Sequence, residues 1–523
     1  MLRLLSKTTD PAAYEKRGNR KLSELRKNII LAKIIRAENG LPLCILLFII
    51  LAALSVPGTS LTDWDEGVFA LQSRWFSTLG QQGKPYNFQT PPLLQLSAAA
   101  VSSITGSHAA ALKWLSVLFS CITAYAVFKL VKRLYSSAAA VYSIIIFMTT
   151  EYFLFFSRSG LSDAVYVCFS TLAILFFVLA IQSRRLKDCF LSSLFIILAV
   201  YTKFSGVALL VVLFFLGIFY RKTLHRFWFL PTIALPVILF VPFAITYLWA
   251  VGISEMHVRH GPLVGIHHLK YLYYMLIFAP VPLILTIVQV VRERKKFLRS
   301  PIFFIVAAFF ILVGFYYPFF RLLYPLIPLC AITAACAVVG FGRYKPVVFA
   351  GITLSVVLSF QTITYTTKIP EQVSSKVRTF TEENRVRYVF SAAPPNVLYY
   401  LGGDILVPAD HPWRTMGERI PFLLEGRTVI YPDSILLQPD DTVMIVHATA
   451  VDSLKDASRA LYDDAVMVSS FEFIDAPVYY KDIYNTQRSI KQLYEIYLVR
   501  AGEHMKELWE FGFLRQTDVM RCP

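Results

Sequence analysis

Residues 61–75 read LTDWDEGVFALQSRW and place three carboxylates, Asp63, Asp65 and Glu66, directly after the first long apolar run. An ionised carboxylate beside hydrocarbon is costly unless water, a hydrogen bond or a cation compensates it. Two kinds of chemistry account for acids placed here. In the first, Asp63 caps a helix that starts near Trp64, with Glu66 three residues later as in a capping box. That arrangement gives Asp65 nothing to do. In the second, a carboxylate at a helix start near lipid headgroups accepts a proton from a substrate hydroxyl. Val68, Leu71, Trp75 and Leu79 then share one helical face, so the acids open an amphipathic helix lying at the interface.

The rest of the chain must hold these acids. Its 523 residues are 56% hydrophobic and only 16% charged, and the mean hydropathy is +0.56. Apolar runs of about 20 residues, enough for an α-helix to cross hydrocarbon, recur through the first two thirds. The chain therefore reads as an α-helical polytopic membrane protein. Its net charge of +17 does not point to nucleic acid. Residues 1–40 hold ten Lys and Arg against four acids, whereas 367–523 hold seventeen against twenty-two. The excess lies in the N-terminal tail and in short loops, as membrane orientation requires. No cleavable signal peptide is expected, and the run from Leu41 reads as a signal anchor. Of the seven cysteines all but Cys522 lie in or beside apolar runs, which predicts small buried hydrophobes and no disulfide framework.

Basic clusters at 1–36, 129–133, 184–187, 221–226, 292–299 and 343–345 give the orientation. If all face the cytoplasm, an even number of crossings separates each pair. The stretch 189–220 is then a hairpin broken at YTKFSG (201–206), and 301–341 a hairpin broken at YYPFFRLLYP (316–325). Residues 136–182 turn at SRSGLSD (157–163), and 227–291 turn at the loop 252–270. Leu41–Pro57 crosses outward, Ala110–Val131 crosses back, and 91–106 remains outside as an interfacial helix. A last crossing at 346–366 brings the total to about eleven and leaves the C-terminus outside.

In this topology Asp63, Asp65, Glu66, Arg158, Asp163, Lys203, Arg321 and the loop 252–270 all fall on the outer face. Arg158, Lys203 and Arg321 stand at outer helix ends against the orientation rule, and such charges line polar cavities. Each also has a plainer account. Arg158 and Asp163 could pair across their own turn, Lys203 could snorkel to the interface, and Arg321 could pack on Tyr324. The loop 254–270 carries Glu255, His257, His260, His267 and His268. His257 and His260 with the nearby Glu fit either a divalent-metal site or a solvated loop over the substrate, and the spacing favours the loop.

Residues 367–523 change character. RVRYVFS (385–391), DTVMIVHA (441–448) and DAVMVSSFEF (464–473) predict strands, and PNVLYYLG and VDSLKDASRALY (451–462) predict helices. A small extracytoplasmic α/β domain is expected, with no Gly-rich phosphate loop or HExxH. The division is thus a basic tail at 1–40, a membrane domain at 41–366 with its first outer loop at 58–109, and the outer domain at 367–523.

LTDWDEGVFA, KPYNFQTPPLLQL (84–96), SRSGLSDA (157–164), YTKFSG and RLLYPLIP (321–328) stand in an order that resembles the GT-C glycosyltransferases. More narrowly, they look like the branch of protein O-mannosyltransferases and bacterial aminoarabinose transferases. The resemblance covers about 41–345 and rests most on the Asp-Glu pair followed by Pro-Pro-Leu. It implies a sugar donor on a polyprenyl phosphate, an extracytoplasmic acceptor and a place in the plasma membrane among its lipids. It also implies that Asp65 is the catalytic acid of the Asp-Glu motif with Glu66 beside it, that Asp163 is a second acid, and that Lys203 and Arg321 suit the donor phosphate. Where aminoarabinose transferases carry Glu-Lys before the Pro-Pro, this chain has Gln89-Thr90, which speaks against lipid A as acceptor.

The chemistry so implied makes Asp65 the base for the acceptor hydroxyl. Lys203, Arg321 and Arg158 would stabilise the charge growing on the leaving phosphate. No nucleotide diphosphate needs chelation, so no metal is required. Two other classes fit parts of the pattern: a lipid or solute transporter with an outward charged vestibule, and a membrane scaffold that recruits partners. Transporters tend to show related halves and broken helices near the midplane. This sequence shows no matching halves.

Overall fold

The structure is a computed structural model and describes residues 37–61, 64–77, 90–251, 265–293, 300–316, 319–341, 345–358, 369–383 and 399–400, with strand segments between 388 and 500. Hydroxyl caps mark the start of three of the described helices. The first apolar run forms α1 (Ala37–Ser55), and the acids open α2 (Trp64–Ser77). α3 (Leu93–Thr105) ends at Gly106, whose φ of +78° is the left-handed geometry that stops a helix. Ser107 starts α4 (His108–Leu134) by accepting a hydrogen bond from Ala110 N at 3.1 Å. Ser136 and Thr150 do the same for α5 (Ser137–Met148) and α6 (Glu151–Phe156).

α7 (Ser162–Ser183), α8 (Leu186–Thr202) and α9 (Gly206–Phe219) follow with short connections. A π-helical turn, Leu230–Ala234, leads into α10 (Leu235–Val251). Beyond the loop lie α11 (His268–Phe278), α12 (Pro280–Arg292), α13 (Pro301–Gly314), a 3₁₀ turn at Phe320–Leu323 and α14 (Leu326–Gly340). α15 (Lys345–Leu358) and α16 (Ile369–Glu383) complete the helices described.

Every position of α7 from Ser162 to Thr171 is buried, as expected of a helix surrounded by others. α10 and α12 instead turn Ile238, Ile245, Ile284, Ile287 and Val291 outward, an apolar surface suited to lipid. The chain is a membrane protein. Among the described residues α4 and α7 are each long and apolar enough to cross, and α11 and α12, bent by 115° at their junction, reach that length only as a pair. The other apolar helices run 10–17 residues. The basic ends come together: Arg133 Nε donates to Gln182 Oε1 at 2.9 Å, and Tyr135 Oη lies 3.1 Å from Ser300 Oγ.

The expected breaks at 157–163, 201–206 and 316–325 are present as turns between α6 and α7, α8 and α9, and α13 and α14. Two segments differ from expectation. Residues 136–157 form two helices, because Thr149 and Thr150 bond their hydroxyls back to Ile145 O and Phe147 O and so interrupt the first. Residues 271–291 are not one straight crossing, because Pro280 has no N–H to continue α11.

Toward the C-terminus, β1 (Tyr388–Ser391), β2 (Ile405–Leu406), β5 (Thr442–Ala448), β6 (Val466–Ile474) and β7 (Lys491–Arg500) form a sheet in the order β2-β1-β5-β7-β6. β3 (Leu423–Leu424) and β4 (Arg427–Thr428) make a separate antiparallel pair. β1 runs parallel to β2 and β5, while β7 runs antiparallel to β5 and β6. Three of these strands match the expected ones. β7 was not among them, since KQLYEIYLVR is apolar at positions that fit either a helical or a strand period. The helix expected at 451–462 lies outside the described residues.

Candidate functional site

The first turn of α2 meets two other elements through its acids. Asp65 Oδ2 accepts from Arg321 Nη1 at 2.5 Å, across 256 positions of sequence. Arg321 rides on the 3₁₀ turn, and that turn rests on stacked rings. Tyr152, Phe156, Phe320 and Tyr324 lie with centroids 4.8–6.1 Å apart. Tyr152 Oη donates to Phe320 O at 3.0 Å. Dense aromatic packing of this kind leaves the turn few alternatives. The plainer reading of Arg321, packing on Tyr324, is replaced by an ion pair with the acid.

Glu66 is fully buried and accepts from the backbone N–H of Gly160. A Cβ on residue 160 would lie 3.5 Å from Glu66 Oε1, an ordinary contact, but 3.0 Å from Leu112 Cβ, so a side chain there would crowd α4. Nearby, the buried Lys113 of α4 donates from Nζ to Thr59 O and Ser60 O, each at 2.7 Å. These carbonyls stand just before the acidic stretch.

Three residues beyond Gly160, Asp163 is buried at the start of α7 and accepts through Oδ1 from Lys203 Nζ at 2.5 Å. Its Oδ2 has no hydrogen-bond partner among the described residues. Lys203 ends α8 with extended backbone, and the chain turns at once into α9. Gly206 permits that turn, because a Cβ there would meet Val200 N at 2.8 Å. Tyr166 Oη fixes the turn from α7 by donating to Ser205 O at 3.0 Å. Asp163 thus pairs with Lys203 and not with Arg158, whose Nε donates to Leu154 O at 3.0 Å.

Four sequence-distant motifs therefore form one connected network: Arg321 to Asp65, Glu66 to Gly160, and Asp163 to Lys203. The fifth motif joins α2 two turns on. The Gln72 amide lies 3.0 Å from Thr90 Oγ1 and 2.8 Å from the Gln95 amide. This cluster is made of neutral side chains, and Gln89 lies outside the described residues.

His257, His260, Glu255 and Asp63 lie outside the described residues. His268 Nε2 lies 3.2 Å from Ile311 O, and its ring packs edge-on against Phe310 and Phe315. Among the described residues no three His, Cys, Asp or Glu side chains gather into a metal-sized cluster. Val68, Leu71 and Trp75 are buried, but so is every residue from Glu66 to Ser73. This part of α2 therefore packs against protein on all sides and not as an amphipathic interfacial helix; Leu79 lies outside the described residues.

Sequence reasoning missed Lys113, Tyr399 and Tyr400. Tyr400 Oη accepts from Leu61 N at 3.1 Å, and Tyr399 Oη accepts from Ala109 N at 3.3 Å. Burial raises the Tyr400 phenol above its ordinary range, so it stays neutral. One signal was available for Lys113: a lone cation in the apolar run of α4 needs acceptors. Nothing in YY at 399–400 marks it as a contact to residue 61.

The description "Dolichyl-phosphate-mannose-protein mannosyltransferase" belongs to the family model that matches residues 89–246. By sequence, no curated protein matches the chain. ArnT of Cupriavidus metallidurans, solved bound to undecaprenyl phosphate, aligns with a TM-score of 0.58 at 12% identity, over 87% of this chain and 97% of that one. The apo oligosaccharyltransferase of Archaeoglobus fulgidus aligns with a TM-score of 0.56 at 11% identity, over 82% of this chain and 71% of that one.

Proposed function

Taking as premise that the chain has the GT-C fold of the mannosyltransferase and ArnT branch, we propose that it is a glycosyltransferase using a polyprenyl-phosphate sugar. The acceptor is a hydroxyl on an extracytoplasmic lipid, glycan or protein. The observation that carries this reading is the convergence of two carboxylate–cation pairs, Asp65–Arg321 and Asp163–Lys203, at one end of the helices. Two neighbours add support: ArnT was solved with undecaprenyl phosphate, and the archaeal AglB with dolichol phosphate and an inhibitory peptide.

In the proposed reaction Asp65 takes the proton from the acceptor hydroxyl as its oxygen bonds to the anomeric carbon. The bond from that carbon to the phosphate oxygen breaks, and its electron pair leaves with the phosphate. Lys203, Arg321 and Arg158 stabilise the charge that develops there. Asp163, itself buried, holds Lys203 in place. The chemistry calls for no metal.

The proposal places the protein in the plasma membrane with residues 367–523 outside. Cysteine introduced at Ser453 is expected to react with impermeant maleimide in intact cells, and labelling only after lysis would invert the orientation. The activity itself is tested by incubating purified protein with labelled polyprenyl-phosphate sugars and membrane extract. Label moving into a new covalent product, with release of polyprenyl phosphate, is expected for one of the sugars. A transporter would move an unaltered substrate across vesicles and transfer nothing.

A further inference from the structure

The backbone that leads into the acids is gripped by side chains from two distant regions. Lys113 Nζ holds the carbonyls of Thr59 and Ser60, and Tyr400 Oη receives the N–H of Leu61. Three consecutive residues thus have a backbone group fixed by a side chain at least fifty positions away. The Lys113 grip comes from α4, inside the helical body. The Tyr400 grip comes from beyond α16, next to the first strands of the C-terminal region.

Tyr400 is itself anchored. Arg378 of α16 donates to Tyr400 O at 2.8 Å. The adjoining Tyr399 packs edge-on against it with centroids 5.0 Å apart. Tyr399 is in turn held by Arg74 of α2, whose guanidinium stands 4.5 Å over its ring and donates to its carbonyl at 3.3 Å. The Tyr399 hydroxyl accepts from Ala109 N, one of the N–H groups a helix start leaves without an internal partner. The pair thus touches both ends of the first outer loop: Leu61 just before α2, and Ala109 at the start of α4.

We infer that Tyr400, together with Lys113, is a positioning residue that fixes the backbone at 59–61 and thereby aims Asp65. The C-terminal region acts on the site through this contact. Its role goes beyond the proposed function, and its catalytic consequence rests on that reading. Three residues separate Leu61 from Asp65, and the last of them, Trp64, is where α2 begins. A shift at residue 61 therefore passes directly to the carboxylate, and a displacement of about 1 Å at a reacting group costs rate heavily. Arg321 holds the carboxylate itself, and the grip on residues 59–61 holds the backbone that leads to it.

Tyr400→Phe tests the inference, since it keeps the ring and its packing and removes only the hydroxyl. The full chain is reconstituted in nanodiscs, and hydrogen exchange is followed over residues 59–66. Exchange is expected to be about five- to tenfold faster in the variant, the scale of one lost hydrogen bond. With labelled donor, kcat is expected to fall about tenfold while donor KM stays within about twofold, because the donor contacts are untouched. Lys113→Met should move both quantities in the same direction. Unchanged exchange over 59–66 in Tyr400→Phe overturns the inference, and so does faster exchange with wild-type kcat. If the wild-type protein transfers no sugar from any donor, the glycosyltransferase reading fails. The exchange measurement then still decides whether Tyr400 orders the loop.

Discussion

The two ion pairs of the site are built with opposite exposure. In the pair made by α2 and the 3₁₀ turn, Asp65 is 44% exposed and Arg321 only 10%. In the pair made by α7 and α8, the acid is buried at 1% and Lys203 is 23% exposed. One pair therefore presents a carboxylate, and the other presents an ammonium. A hydroxyl to be deprotonated needs the first, and a phosphate leaving group needs the second. The less exposed partner in each pair, Arg321 or Asp163, holds its mate in position. Both acids stand in the first turn of a helix, so the difference is not one of position along the helix.

Lys203→Ala is the most severe way to break this comparison. It leaves the Asp163 carboxylate buried without its cation, a loss of about 3–5 kcal/mol. Thermal unfolding in detergent should show it, and Lys203→Ala combined with Asp163→Ala should recover most of the stability but none of the donor use. Recovery of activity in that double variant would remove Lys203 from the phosphate site.

Asp65→Asn comes next. It should fold and bind donor yet lose transfer by about 10²-fold or more, the usual scale for removing a general base. Asp63→Asn should stay near wild type, because Asn and Asp cap a helix equally well. Equal activity in the two variants would mean that Asp65 is not the base.

Gly160→Ala tests the link between the pairs. Its methyl would press on Leu112, an overpacking cost of about 1–3 kcal/mol, read as a lowered Tm. A Tm equal to wild type would show that the turn yields freely. The smallest effects sharpen the asymmetry. Asp163→Asn leaves Lys203 partly in water, and Arg321→Ala leaves Asp65 well solvated, so each should cost about 1 kcal/mol. An Arg321→Ala loss as large as that of Lys203→Ala would erase the distinction drawn here.

Much of this arrangement was legible in the chain. The breaks at 157–163, 201–206 and 316–325 follow from basic clusters that must share a side, since the orientation rule turns charge counts into parity. The acids and the cations Arg158, Lys203 and Arg321 were legible as charges standing beside apolar runs. Three of the strands in the C-terminal sheet were legible from their β-branched runs. The 115° bend at Ala279 was not, because Pro280 marks a break without giving its angle.

The sequence by itself determined that the chain lies in a membrane, that its unusual charges collect on one face, and which residues those are. Hydropathy, loop charge and local capping are properties of neighbouring residues, so a linear string carries them. Which charge pairs with which was decided only by the tertiary structure. Asp163 lay five positions from Arg158, yet it pairs with Lys203, forty positions away. The exposures within each pair, the fit of Gly160 against Glu66, and the reach of Tyr400 to Leu61 are likewise tertiary. Each depends on how helices distant in sequence pack, and packing is set by volume and shape across the whole core.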